Sequence, residues 1–233
     1  MAVLLLQLAG PLQAWGDSSR FSHRMTRREP TKSGILGLLA AAQGRSRDAD
    51  LSDLVKLRFG VRIDQAGRLV RDFQTEIDWR TGKSKQLTYR HYLADAKFLA
   101  AVEGEREFLN ILAENLRSPV FPLFLGRRSC PPTGKLVLGL KEESLDNVLD
   151  SHPWLASEWY RKQQPKNLQL AISRDCLPGE LPDEMIRDIP VRFSYRERSH
   201  ELRAVRHRFS PTIENENGRN TNEHDPFTLI GGA

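Results

Sequence analysis

The order of the periodic segments restricts the fold of this chain more than any other feature of its sequence. The first periodic segment is an apolar run at residues 3–8, which predicts a buried strand. Gly10 and Pro11 follow it and predict that the strand ends there. The periods that follow predict a helix at 33–43, strands at 59–63 and 92–102, a helix at 106–116 and a strand at 136–140. The order is therefore strand, helix, strand, strand, helix, strand, with a polar excursion between the second and third strands.

This order predicts an α+β fold with a ferredoxin-like N-terminal domain over residues 1–141. In such a domain two helices cover one face of an antiparallel sheet, and we expect the other face and the loops to be open for binding. The excursion, about residues 64–91, predicts an inserted hairpin. Residues 69–73 are expected to return beside the second strand, with Gly82 near the tip.

The second half of the chain has weaker patterns. Residues 142–233 predict a small β-rich C-terminal domain with strands near 169–173 and 190–195. The Asn-rich stretch 211–226 predicts a mobile loop.

Three runs of cations dominate the charge pattern of a chain whose formal net charge is only +5. They are Arg20, Arg24, Arg27, Arg28 and Lys32; Arg80, Lys83, Lys85 and Arg90; and Arg192, Arg196, Arg198, Arg203, Arg206 and Arg208. A single run of this kind is as compatible with a solvated basic face as with a binding surface. Three runs together favour a polyanionic partner, and nucleic acid is the partner that we expect.

The composition gives little support to a disulfide-bonded, zinc-binding or membrane protein. Cys130 and Cys176 are the two cysteines and form no CxxC motif, which is typical of a reducing cytosol without a disulfide framework or a zinc site. The apolar start is far shorter than the ~20 residues that cross a bilayer, so we expect a cytoplasmic protein without membrane contact. The histidines lack metal-ligand spacing, and we expect no metal and no cofactor.

The stretch PTKSG, residues 30–34, places a lysine, a hydroxyl and a glycine at the start of a predicted helix. It is not a P-loop, because alignment on Lys32 and Ser33 leaves Thr26 and Thr31 at the two glycine positions. A helix N-terminus still attracts one phosphate, so Lys32, Ser33 and Gly34 are candidate phosphate contacts. The alternative is an ordinary helix start capped by Thr31 or Ser33.

Two further stretches carry candidate RNA contacts. In LFLGRRSCPPTG, residues 123–134, Gly126 permits close backbone approach and Arg127, Arg128 and Ser129 supply donors. A solvated turn is the alternative. In WRTGKSKQLTYRHY, residues 79–92, aromatic rings are interleaved with cations, which suits stacked bases and bound phosphates. A hairpin with aromatic cross-strand pairs is the alternative there.

Catalysis would need an acid and a base, and no metal-binding or serine-nucleophile motif is present in the sequence. His23, Tyr89 and His91 lie near basic runs and are the candidates for a metal-independent ribonuclease. The competing interpretation is that these rings stack or form hydrogen bonds without catalysing a reaction.

Three stretches together resemble a known family. LQLAGPLQAWG (6–16), REPTKSGILGLLAAAQG (28–44) and FLGRRSCPPT (124–133) are similar to the CasD subunits of type I-E Cascade, the RNA-guided CRISPR surveillance complex, which belong to the RAMP proteins. The resemblance covers roughly residues 1–141. It implies an RRM-like, ferredoxin-type N-terminal domain with an inserted β-hairpin thumb, and a small C-terminal domain.

The resemblance also implies a role. A subunit of this kind grips the 5′ handle of the crRNA, caps one end of the complex, contacts the backbone subunit CasC and the large subunit CasA, and meets target DNA only through the complex. It implies no enzymatic activity, because another subunit cuts the precursor RNA in type I-E systems. Related type I-C proteins do cut, so an endoribonuclease that processes CRISPR precursor RNA remains the alternative.

The predicted RNA contacts combine the cationic runs, the helix start, the GRR loop and nearby aromatic rings. They are Trp15, Arg20, Arg24, Arg27, Arg28, Lys32, Ser33, Gly34, Lys83, Lys85, Tyr89, Arg90, Gly126, Arg127, Arg128 and Ser129. Trp15 and the rings at 89–92 are the predicted base-stacking groups. No RNP1-type aromatic motif is present in the sequence, so we do not expect bases to spread over the sheet face.

Overall fold

A computed structural model describes residues 1–16, 22–194 and 198–219 of the chain. The strands are β1 (Ala2–Ala9), β2 (Leu12–Gln13), β3 (His23–Arg24), β4 (Arg58–Gln65), β5 (Arg68–Gln74), β6 (Thr88–Ala94), β7 (Lys97–Gly104), β8 (Val137–Lys141), β9 (Asn167–Leu168), β10 (Ala171–Asp175), β11 (Glu184–Arg192), β12 (Ser199–Phe209) and β13 (Ile213–Glu214). The helices are α1 (Lys32–Ala42), α2 (Ser52–Val55), α3 (Arg106–Arg117), α4 (Leu145–Ser151) and α5 (Glu158–Arg161).

The fold is mixed α+β and rich in sheet. Seven strands form one antiparallel sheet in the order β11-β12-β10-β4-β7-β1-β8. A smaller sheet joins β2, β3 and β5 to β6, and β9 pairs with β13. The large sheet crosses the predicted boundary at residue 141, because β10 from the second half pairs with β4 from the first.

Both faces of the central strands are buried. One core cluster contains Leu4, Leu6 and Leu8 of β1 together with side chains of α1 and α3, while Val3 and Leu5 face a second cluster with α4. Burial on both faces explains why β1 is continuously apolar rather than alternating. The expectation of an open second face is therefore wrong at these strands, where α4 covers it.

The helix α1 begins where the sequence predicts. Thr31 is its N-cap, and its hydroxyl accepts a hydrogen bond from the backbone N–H of Gly34 at 3.2 Å. The capped-helix interpretation of PTKSG is therefore correct for this turn.

The strand predicted at 69–73 is β5, but its partner strand differs from the expected one. β5 pairs with β6 along its whole length and not with β4. The single strand predicted at 92–102 is two strands, because Asp95 has a φ of +55° and turns the chain between β6 and β7. β5 and β6 belong to the smaller sheet, and every residue of β5 is exposed.

Of the stretch 211–226, residues 211–219 are described and contain β13, while residues 220–226 lie outside the described part of the chain. Among the described residues, no helix has the length and apolar character needed to cross a membrane.

Candidate nucleic-acid interface

A groove of about 610 Å³ runs along the exposed side of α1. Three other parts of the chain complete it: residues 45–48 after the helix, residues 121–128, and the pair Phe193 and Arg198. Its lining is Ser33, Gly34, Gly37, Leu38, Ala40, Ala41, Arg45, Ser46, Arg47, Asp48, Phe121, Phe124, Gly126, Arg128, Phe193 and Arg198. The groove therefore joins predicted contacts from the helix start and the GRR loop, which are about 90 residues apart in sequence.

Four arginines and one aspartate give the groove a positive charge. Arg45 forms an ion pair with Asp53, in which Nη1 lies 2.6 Å from Oδ1, and this hydrogen bond raises the pKa of Arg45. Partial desolvation and the neighbouring charge of Arg47 lower the pKa of Arg198. Arg47, Arg128 and Arg198 thus contribute positive charge to this part of the groove.

Aromatic rings stand beside these charges. Phe121, Phe124 and Phe193 line the groove, and the guanidinium of Arg198 lies 5.8 Å from the ring centroid of Phe193. Phe121 is 46% exposed although it is large and apolar. Rings next to cations suit a single strand, whose bases stack while its phosphates are neutralised.

Lys32 is not available to a ligand in this structure, which corrects its predicted role. Its side chain is buried, and Nζ lies 2.8 Å from Oδ2 of Asp175. Its backbone N–H donates to Oδ2 of Asp188 at 2.8 Å. Protein carboxylates therefore occupy the helix N-terminus, where a phosphate was expected. Ser33 and Gly34 still line the groove.

Trp15 is also placed differently from the prediction. Its side chain is 1% exposed, and Nε1 donates to Oε1 of Gln13 at 3.1 Å. A Cβ added to Gly34 would lie 2.8 Å from the indole, so the ring packs directly under the first turn of α1. The prediction that Trp15 stacks a base is wrong because the ring is part of the core.

The adjacent residues Arg127 and Arg128 have different surroundings. Arg127 donates to the carbonyls of His91 (3.1 Å) and Arg24 (2.8 Å), and its guanidinium lies 4.7 Å from the ring centroid of Tyr92. It thus fastens the GRR loop to β3 and β6. Arg128 is exposed and lines the groove. Ser129 is exposed beside it but is not part of the groove lining.

Replacement of Arg127 by alanine is expected to lower the free energy of unfolding by about 1–2 kcal/mol, because charge-assisted hydrogen bonds to two carbonyls are lost at a half-buried position. Arg128→Ala is the matched control and should stay within about 0.5 kcal/mol of wild type. Urea denaturation measures both. Equal stability of the two variants would contradict the anchoring role of Arg127.

The remaining predicted contacts lie outside the groove lining. Arg24 and Arg28 are exposed, and Arg27 donates two hydrogen bonds to Glu184. On the hairpin, Lys83 and Lys85 are exposed, while Arg90 is half-buried, 4.0 Å from Glu76. Arg20 lies outside the described residues.

Tyr89 is half-buried, and two neighbouring side chains contact its ring. His23 stacks on it with a centroid separation of 5.1 Å, and the guanidinium of Arg71 lies 5.2 Å from its ring centroid. The third ribonuclease candidate, His91, is half-buried, and its Nδ1 has no hydrogen-bond partner among the described residues. Cross-strand packing thus accounts for Tyr89 without a base or a reaction.

Reasoning from the sequence missed several lining residues. Arg45, Arg47, Phe121, Phe124 and Phe193 were not predicted, and Arg198 was noted only as a member of a cationic run. Phe193 and Arg198 had a usable signal, since an aromatic residue and an arginine lie close together in a basic segment. No local pattern in the sequence marks residues 45–47 as lining the same groove as Phe193 and Arg198.

Comparison with known proteins identifies the class. Residues 3–206 match the family model described as CRISPR-associated protein (Cas_Cas5), and the chain belongs to this family. The Cascade subunit CasD of Escherichia coli (strain K12) is 40% identical over 162 residues, an alignment that covers 60% of this chain and 72% of CasD. The predicted resemblance to CasD subunits is thereby confirmed.

Solved structures agree with this placement. A chain of a CRISPR RNA-guided surveillance complex superposes with a TM-score of 0.72 at 27% identity, covering 98% of both chains. A Cas protein known from a crystal structure superposes with a TM-score of 0.69 at 38% identity, covering 94% of this chain and 98% of its own.

Proposed function

We propose that this chain is the crRNA-binding subunit of a Cascade complex and grips the 5′ handle of the crRNA in the groove beside α1. The observation that carries the proposal is the groove lining, where Arg128 and Arg198 lie with Phe121 and Phe193, in a chain 40% identical to a Cascade subunit. A single-stranded handle exposes phosphates and unstacked bases, and this lining matches both.

The contacts divide by chemistry. Arg47, Arg128 and Arg198 neutralise phosphates, while Phe121 and Phe193 pack against bases or riboses. Ser33 and Gly34 allow the strand to approach the first turn of α1 closely, since neither side chain projects far.

The strand continues from the groove towards the hairpin. Arg127 holds the GRR loop against β3 through the carbonyl of Arg24, whose residue is exposed. Exposed Lys83 and Lys85 would supply further phosphate contacts on the hairpin. Gly126, Ser129, Arg28 and Arg90 border this path, whereas Lys32 and Trp15 act through the core.

The finer architecture belongs to the same proposal. The strands β4, β7, β1 and β8 with α1 and α3 are proposed to form the ferredoxin-like core, because their order in the sheet follows the chain order 2-3-1-4. The β5–β6 hairpin is proposed to be the thumb, and residues 142–233 the C-terminal domain.

In this role the subunit is cytoplasmic and non-catalytic, and it forms one end of an assembly. It would contact the backbone subunit CasC and the large subunit CasA, and target DNA through the complex. An RNA-binding role uses every feature of the groove without requiring an acid and a base there.

The test is incubation of the purified full chain with labelled single-stranded CRISPR repeat RNA in EDTA, resolved on native and denaturing gels. A mobility shift with intact RNA is expected. A discrete cut without metal would instead support the endoribonuclease and direct attention to His23, Tyr89 and His91. No shift at low salt would contradict the proposed function, since the predicted affinity is largely electrostatic.

A further inference from the structure

We propose that four buried charges under α1 position the two walls of the groove, so that altering them weakens RNA binding although none of them contacts RNA. The inference rests on the function proposed above. The four residues, here called the buried charge cluster, are Lys32, Asp175, Asp188 and Arg203. Their side chains are between 0% and 12% exposed.

Within the buried charge cluster, each charged side chain is paired with one of opposite charge. Arg203 binds Asp188 through Nε and Nη2, at 2.7 and 2.8 Å, and Asp175 through Nη1 at 2.9 Å. Lys32 Nζ binds the other oxygen of Asp175 at 2.8 Å. Two cations and two carboxylates thus neutralise each other inside the protein, as buried charges require.

Backbone groups are bound as well. Asp188 accepts the N–H of Lys32 at the start of α1, and Asp175 accepts the N–H of Phe59 in β4 at 3.0 Å. A carboxylate at a helix N-terminus is stabilised by the helix dipole. The cluster therefore fixes the first turn of α1 against β4, β10, β11 and β12.

The position of the cluster relates it to the groove. Lys32 is followed directly by Ser33 and Gly34, which line one wall. Asp188 lies in β11 and Arg203 in β12; Phe193 directly follows β11 and Arg198 directly precedes β12, and both line the other wall. The two walls are joined at the cluster, so its geometry sets their separation. Buried ion pairs contribute little net stability but can define a geometry, and binding sites depend on such support.

The experiment measures the affinity of Lys32→Met and Asp188→Asn for labelled single-stranded repeat RNA over a series of salt concentrations. Each variant is expected to bind about five- to tenfold more weakly than wild type at fixed salt. The slope of log affinity against log salt should remain that of wild type, because no phosphate contact is lost. A slope smaller by about 0.7 for Lys32→Met would show a direct phosphate contact and overturn the proposal.

Asp64→Asn is the matched control for lost stability. Arg62 and Asp64 form a second fully buried ion pair, whose arginine binds carbonyls at the end of α4 and which does not line the groove. This variant should lose thermal stability but keep wild-type affinity. Equal weakening in Asp64→Asn and Asp188→Asn would overturn the proposal in favour of general destabilisation.

Lys32→Met is the milder variant and decides the question if Asp188→Asn does not fold, because Asp175 keeps Arg203 and the Phe59 N–H. Wild-type affinity in Lys32→Met would overturn this inference alone. Failure of the wild-type chain to bind the RNA would instead remove the proposed function.

Discussion

Gly126→Ala is expected to lower the free energy of unfolding by about 3 kcal/mol or more. Gly126 has a φ of +85°, which costs an alanine about 1–2 kcal/mol. An added Cβ would also lie 1.7 Å from the carbonyl oxygen of Ala14, so the loop must move away from the chain that leads to Trp15. Overpacking of this kind costs about 1–3 kcal/mol. Urea denaturation of the purified variant measures the loss.

Gly134→Ala is the control for the backbone contribution. Gly134 has a φ of +72°, but nothing lies within 4 Å of an added Cβ. It should therefore lose only about 1–2 kcal/mol. Losses of the same size at the two positions would contradict the close approach between residues 126 and 14.

The double substitution Arg128→Ala/Arg198→Ala is expected to weaken binding of single-stranded repeat RNA about 30-fold or more, or ~2 kcal/mol. Both guanidinium groups line the groove, and neither belongs to the buried charge cluster. Loss of two phosphate contacts should also reduce the salt slope by about 1.4. Filter binding or fluorescence anisotropy at several salt concentrations measures both quantities.

Arg106→Ala/Lys162→Ala removes the same charge from surfaces outside the groove. Arg106 pairs with Glu142 and Lys162 with Glu158, and all four side chains are well exposed. This variant should bind RNA within about twofold of wild type, because screening weakens distant charges. A similar loss in both double variants would mean that net charge, and not the groove, determines binding.

Much of the fold could be predicted because local patterns report local structure. The helix predicted at 33–43 is α1 at Lys32–Ala42, and the helix predicted at 106–116 is α3 at Arg106–Arg117. Pairing between strands was harder. The turn at Asp95 lies between small residues without a Gly or Pro, so nothing in the local pattern separated β6 from β7 or assigned β5 to β6.

The candidate site was predicted in part, for a related reason. The GRR loop and the helix start were found because each carries a local composition signal. The burial of Lys32 depends on Asp175 and Asp188, which lie 143 and 156 residues further along the chain. A cation with a distant internal partner has the same local sequence signal as one that faces RNA. Trp15 was assigned incorrectly because aromatic residues serve cores and stacking surfaces alike.

The pairing of β4 with β10 has a consequence for the order in which the chain is synthesised. One edge of β4 receives β7 soon after β4 leaves the ribosome, but the other edge waits until β10 has been translated. An unpaired strand edge recruits strands of other molecules. Until β10 is translated, one edge of β4 is therefore unpaired and can associate with other nascent chains on the same polysome. Pairing with β10 then covers this edge.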